Sequence, residues 1–175
     1  ALAGDIAHGA VVPCDIRRNG KPRVVSPVRT APKGWRIGKR RFVINMRFLN
    51  KHIPDAESSC DLNTLSHIRG LFQPASARRE EVWGFTLDLT SGYHHFRIAE
   101  EQLELMGIAI HRAELPTRVI TWLRTNAQGC EDAEAGLFYF TVVALPFGLR
   151  PSCAVFSDIV TALAASWRRH RVCLH

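Results

Sequence analysis

Asp88 is the residue with the most chemistry to offer. It sits in "GFTLDLTSGYHHFRI" (84–98), where Trp83, Phe85, Leu87 and Leu89 alternate with Gly84, Thr86 and Asp88. Period-two alternation reads as a half-buried strand. Asp88 falls on the face opposite the apolar one, and Asp is disfavoured within strands. A carboxylate fixed on a rigid element and aimed away from the core is placed to act on a ligand. An ordinary solvent-facing strand residue is the plainer alternative. A turn and an aromatic, Tyr93, follow. His94 and His95 are not expected to share a metal ion, because adjacent strand residues face opposite ways.

The second chemical feature is charge. Twelve Lys or Arg residues and no Asp or Glu lie between Arg17 and Lys51, which is over half of the chain's 23 basic residues. The net charge is +7 and the pI about 9.6. A block of one sign is the footprint of a polyanion, nucleic acid or nucleotide above all. A basic tail, an acidic protein or lipid headgroups are the blander alternatives.

The chain has 175 residues, enough for one compact or two-lobed domain, and 46% of them are hydrophobic, enough to bury a core. No apolar run approaches the ~18 residues of a membrane span. The opening "ALAGDIAHGAVVP" has no basic region ahead of an apolar stretch and is not expected to be a secretory signal. Five cysteines, an odd number without a Cys-x-x-Cys pair, argue against a disulfide framework or zinc site. An intracellular, reducing compartment is expected.

Several elements must position these residues. "RRNGK" (17–21) carries an Asn-Gly hairpin signal. "RVVSPV" and "RRFVIN" read as two strands flanking a basic turn, so the block is a basic β-hairpin with Lys33, Arg36, Lys39 and Arg40 near its tip. "DLNTLSHIRGLF" (61–72) fits a short helix with Leu62, Leu65, Ile68 and Leu71 or Phe72 inward. "AEEQLELMGI" reads as a short acidic helix. Residues 111–136 are polar and irregular, compatible with a hairpin that has a long tip. "LFYFTVVALPFGL" (137–149) reads as a buried strand ending in a Pro-Phe-Gly turn. Val155, Phe156, Ile159, Val160, Leu163, Ala164 and Trp167 then follow helical spacing, closed by Arg168, Arg169 and Arg171. "VCLH" begins what reads as another strand.

Three blocks stand in order: "RRFVINMRFLNKHI" (40–53), "FTLDLTSGYHHFRI" (85–98) and "FTVVALPFGLRPSCAVF" (140–156). Together they resemble the reverse transcriptases (RNA-directed DNA polymerases) of LTR-type and DIRS-type retrotransposons, over roughly residues 22–175. The resemblance implies an α+β fold, a right-hand polymerase fingers/palm fragment with an antiparallel sheet and packed helices. It implies fingers over 1–83 with an N-terminal extension, a first palm part over 84–111, a return to the fingers over 112–149 and an incomplete second palm part over 150–175. It gives Asp88 the role of a catalytic carboxylate holding Mg²⁺, with Leu89 offering its backbone carbonyl. Arg41 matches the finger Arg that lies against the incoming nucleotide, and Lys33 a phosphate-binding finger Lys. Tyr93 matches the aromatic under the sugar that excludes a 2′-hydroxyl. Phe147 and Gly148 match the turn lining the nucleotide and template pocket. Arg36, Lys39, Arg40, Arg47 and Lys51 are the expected nucleic-acid contacts, on an RNA or DNA template-primer.

The sequence also departs from that pattern. Asn45 stands where the family has Asp, Cys153 where it has Pro, and 111–136 is longer than the family's hairpin. The family's aromatic-x-Asp-Asp turn is not within residues 1–175, so the chain by itself is not expected to polymerise DNA, and a protein partner is expected to complete the palm sheet. Two readings follow: part of a template-directed nucleotidyl transferase, or a catalytically inactive reverse-transcriptase-derived nucleic-acid-binding or scaffold subunit of a larger assembly.

Replacing Lys33, Lys39 and Arg40 together with neutral residues is expected to flatten the salt dependence of RNA binding. For about six to ten phosphate contacts, affinity drops ~10³–10⁵-fold between roughly 50 and 200 mM salt. A salt titration that is the same for wild type and triple variant rules this block out as the contact.

Overall fold

A computed structural model describes residues 2–32, 40–54, 69, 73 and 89–169. The fold is α+β. Its centre is β7 (Leu137–Val142), in which Phe138 and Phe140 are fully buried and Tyr139 and Val142 nearly so. A strand buried on both faces needs a continuous apolar run rather than alternation, and "LFYFTV" supplies it. β5 (Gly107–His111) pairs antiparallel along one edge of β7. The other edge is shared by β6 (Glu131–Asp132) at the start of β7 and β1 (Val11–Pro13) at its end, both antiparallel. β2 (Val25–Ser26) pairs parallel with β5, so the sheet is mixed rather than purely antiparallel. Gly107 makes that pairing possible: a Cβ there would run into the Pro22 ring and come within 2.6 Å of the Val24 carbonyl oxygen.

A basic hairpin forms with "RRFVI" as its second strand, but its first strand is displaced: of the expected strand 23–28, Val25–Ser26 pairs with β5 instead, and the hairpin strand begins only at Val28 and runs into the expected turn. β3 (Val28–Pro32) and β4 (Arg40–Ile44) pair antiparallel, from Val28 opposite Ile44 to Pro32 opposite Arg40. Phe42 and Ile44 pack on the main core, while Arg41 and Val43 are exposed. The Asn19–Gly20 pair, by contrast, does not make a hairpin. It ends a helical turn, α2 (Ile16–Asn19), and Gly20 takes φ +75° just beyond it. The Asp15 carboxylate accepts from the Arg17 and Arg18 amides (3.1 Å each), and this N-cap decides the local structure.

Residues 112–136 are the long hairpin tip between β5 and β7, and they hold a helix that the polar composition hides. α3 (Arg47–Asn50) follows the basic hairpin, and α4 (Thr117–Asn126) is the helix within the tip. α4 carries a narrow apolar stripe, with Leu123 fully buried and Val119 and Ile120 packed on the core. Arg124 clamps its end to β6 through a two-bond contact with Glu131 (2.9 and 2.7 Å). The acidic segment Glu100–Leu105 is a 3-10 helix rather than an α-helix. α1 (Leu2–Ala7) lays Leu2 and Ile6 on the core, and α5 (Ser152–Arg169) matches the expected final helix. The sheet therefore takes strands from residues 1–83, 84–111 and 112–149 into one hydrophobic cluster. Apart from Arg69, the expected helix at 61–72 lies outside the described residues, as do the strand over 83–88 and the "VCLH" strand.

Phe140→Ala is expected to cost about 3–5 kcal/mol, as for a fully buried aromatic whose cavity cannot collapse. The urea midpoint measures this. A shift worth under ~1 kcal/mol would mean that β7 is not the centre of the core.

Candidate functional site

A cleft of about 600 Å³ opens between the hairpin and the end of β7. Asp5, Arg40, Arg41, Ser91, His94 and Phe147 are among its lining residues. It thus joins the first block (Arg40, Arg41), the second (Ser91, His94) and the third (Phe147).

Each wall has a local cause. On β4, Arg40 is tied back to the paired strand: its Nε donates to Thr30 Oγ1 (2.7 Å) and a terminal nitrogen to Thr30 O (3.1 Å). Arg41 makes no hydrogen bond or ion pair among the described residues and is exposed. The second wall comes from "TSGYHH". Gly92–His95 is a 3-10 turn, not a strand continuation, so the alternation expected at His94 and His95 does not apply. Ser91 enters the turn with φ +53°, a left-handed conformation that is uncommon outside glycine. Gly92 is required by close approach: a Cβ there would sit 2.8 Å from the Phe156 ring. With that space open, Phe156 stacks on Tyr93 (4.6 Å between centroids, 13° between planes). Phe147 tilts onto Tyr93 as well (4.4 Å, 49°).

Phe147 is 65% exposed and lines the cleft, whereas Tyr93 is half-buried behind it. The aromatic expected to wall the sugar therefore backs the wall through Phe147. Gly148 follows with φ +87°, which turns the chain toward α5. The turn is held by two side chains: Ser152 Oγ donates to Pro146 O (2.8 Å), and Asn50 bonds to the backbone on both sides of Leu149. Asn50 was not singled out from the sequence, although it stands inside the quoted "RRFVINMRFLNKHI". Its side chain reaches across the fold, which no local pattern announces.

His95 Nε2 donates to Thr90 O (3.1 Å), while His94 Nδ1 is buried with no partner among the described residues. His94 faces the cleft with Asp5. Burial pushes the Asp5 carboxyl above its ordinary value, and His94, the chain's amino terminus and His8 pull it back only in part. Neither Asp5 nor His94 was singled out as a cleft residue from the sequence.

Arg47 and Lys51 are exposed on and just after α3. The Leu89 carbonyl accepts from the Gly92 amide (3.1 Å). Asp88, Lys33, Arg36 and Lys39 lie outside the described residues. Among the described residues no group of three His, Cys, Asp or Glu side chains could hold a metal ion, and no helix is long and apolar enough to cross a membrane. Asn45 Oδ1 accepts from the Arg47 amide (3.2 Å), a bond that an Asp would make equally well. No protein-family model matches the chain, and no curated protein matches it.

The cleft generates a pH prediction. The folded state holds the Asp5 proton more tightly than the unfolded chain does. Stability is therefore lost as pH rises from the ordinary aspartate range through the raised value. Asp5→Asn is expected to raise the melting temperature at pH 7, with the difference vanishing below the ordinary aspartate range. A variant that is destabilised equally at both pH values would show that the Asp5 charge is compensated in the fold.

Proposed function

We propose that the chain is the fingers and first palm part of a reverse-transcriptase-like nucleotidyl transferase, and that the cleft receives the incoming nucleoside triphosphate. The observation that carries this is convergence. Arg41, Phe147 with Tyr93 behind it, and the Ser91–His94 turn come from three separated sequence blocks and meet at one cleft. An exposed guanidinium with no partner among the described residues suits a phosphate, which it can contact through two parallel hydrogen bonds. An exposed aromatic, Phe147, lining the same cleft suits a base or sugar face.

In this reading Arg41 binds and orients the phosphates, and Phe147 covers the sugar or base. Mg²⁺, held by Asp88 in the family pattern, would supply charge neutralisation at the phosphates when bound. The nucleic acid would run along the basic face that includes Arg40, Arg47 and Lys51, with an RNA or DNA template-primer as partner.

A second reading, a non-enzymatic nucleic-acid-binding or scaffold subunit, draws on α5. There Val155, Val160 and Leu163 stand 36–43% exposed on one broad side of the helix. Exposed apolar residues grouped in this way fit a protein contact.

Equilibrium binding of a labelled deoxynucleoside triphosphate to the chain separates the two. Wild type is expected to bind, and Arg41→Ala to weaken binding about tenfold, in line with the ~1.5–3 kcal/mol of a charge-assisted hydrogen bond. Tyr93→Ala, by releasing Phe147, is expected to narrow the preference for deoxyribo- over ribonucleotides. RNA binding without triphosphate binding would favour the scaffold reading.

A further inference from the structure

Asn50 ends α3, a four-residue helix that follows the hairpin carrying Arg40 and Arg41. It is half-buried, and its carboxamide spans two backbone groups nearly a hundred residues away. Nδ2 donates to Gly148 O at 2.8 Å, and Oδ1 accepts from the Arg150 amide at 2.8 Å. Gly148 is in the left-handed region (φ +87°), so the turn depends on being held in a conformation that few other residues adopt. A third bond, from the Arg150 guanidinium to Ile53 O (3.3 Å), runs between the same two segments. Leu49, beside Asn50, and Leu149, between the two bonded groups, are both buried, so the clasp lies over packed side chains rather than in open solvent.

We infer that Asn50 is the positioning residue of the nucleotide cleft: its carboxamide locks the 146–150 turn so that Phe147 stays against Tyr93 at the cleft wall. The inference rests on the nucleotide reading of the cleft. Asn50 touches no substrate; it acts through Phe147. At neutral pH a primary carboxamide on this short stem supplies the one donor and one acceptor in the fork that the Gly148 carbonyl and the Arg150 amide require. Asp offers two acceptors when ionised, so one oxygen would face the Gly148 carbonyl without a proton. Ala offers neither group. The clasp also joins the hairpin that carries Arg41 to the turn that carries Phe147, which fixes the spacing of the two groups on either side of a ligand. Without it the turn holds its cleft-forming shape only part of the time, and the apparent affinity falls by that fraction.

The test uses the whole chain as wild type, Asn50→Ala and Asn50→Asp, with two measurements. The first is residue-resolved amide hydrogen exchange, where the Arg150 amide reports the clasp and the β5–β7 amides report the fold. The second is equilibrium binding of a labelled deoxynucleoside triphosphate. Asn50→Ala is expected to lose protection at Arg150 while the sheet keeps its own, and to bind about tenfold more weakly, as the loss of two hydrogen bonds worth ~1 kcal/mol each would allow. Asn50→Asp is expected to match it at neutral pH and to recover relative to wild type on acidification, because a protonated carboxyl again offers one donor and one acceptor. A role in stability alone would not produce that pH-dependent rescue. Unchanged Arg150 protection in Asn50→Ala, or unchanged triphosphate affinity with protection lost, overturns the inference. If the wild type binds no triphosphate, the nucleotide reading falls, and the exchange result alone then decides whether Asn50 holds the turn.

Discussion

The described fold depends on one requirement: every backbone group of β7 must be paired, because the strand is buried. Its two edges meet this differently. β5 runs along the whole of one edge, from Gly107 opposite Thr141 to His111 opposite Leu137. The other edge is covered in pieces, by β6 against Leu137 and Phe138 and by β1 against Phe140 to Val142. The junction at Tyr139 is closed by two bonds from outside those registers. The Cys14 amide donates to Tyr139 O (3.0 Å), and the Tyr139 amide donates to Cys130 O (2.8 Å). This accounts for the position of the N-terminal segment and of the 130–132 return. Cys130 is consequently buried, which pushes its thiol up to about 11 and leaves it as a packing group rather than a nucleophile.

The same pairing continues past the end of β7 and builds the cleft. Residues 143–145 run beside 96–98: Ile98 N donates to Val143 O (3.0 Å), and Leu145 N donates to Phe96 O (2.8 Å). These bonds bring the Gly92–His95 turn to the Pro146–Gly148 turn, so that Tyr93 meets Phe147. Aromatic pairs add ~0.5–1.5 kcal/mol beyond their area, which is too little to create this arrangement against the backbone. The hydrogen bonds set the approach, Gly92 removes the steric barrier to Phe156, and the stack selects among the side-chain positions left. Arg97 adds a bond from its guanidinium to Gly9 O, tying the same stretch to the start of β1.

Legibility in the sequence followed the range of the forces involved. The returning strand β4, the buried run 137–142 and the final helix were readable because apolar spacing reports which side chains leave water, whereas the hairpin's first strand lies several residues later than the apolar run 23–28 suggests. α4 was not readable, since a stripe of Val119, Ile120 and Leu123 inside a ten-residue helix looks polar on average. Asn19–Gly20 misled because two local signals competed, and the Asp15 cap, five residues before the glycine, organised the chain first. In the cleft, Arg41 and Phe147 were found through the blocks that contain them. Asn50, Asp5 and His94 were not, since their roles come from contacts 90 to 100 residues apart or from burial that only tertiary packing creates.

The electrostatics of the cleft follow from this packing. Two arginines and one carboxyl line it, a formal excess of one positive charge before His94 is considered. The groups are not equivalent. Arg40 is held along its own hairpin by Thr30, so its charge is fixed in place, while Arg41 is free of such bonds among the described residues. Burial disfavours the ionised form of Asp5, so its carboxyl is held above its ordinary value. Arg40 and Arg41 both stay exposed on the hairpin, where water still stabilises their charges. In the proposed reading an entering polyphosphate would meet one fixed cation and one adaptable cation in a cleft that Phe147 also lines.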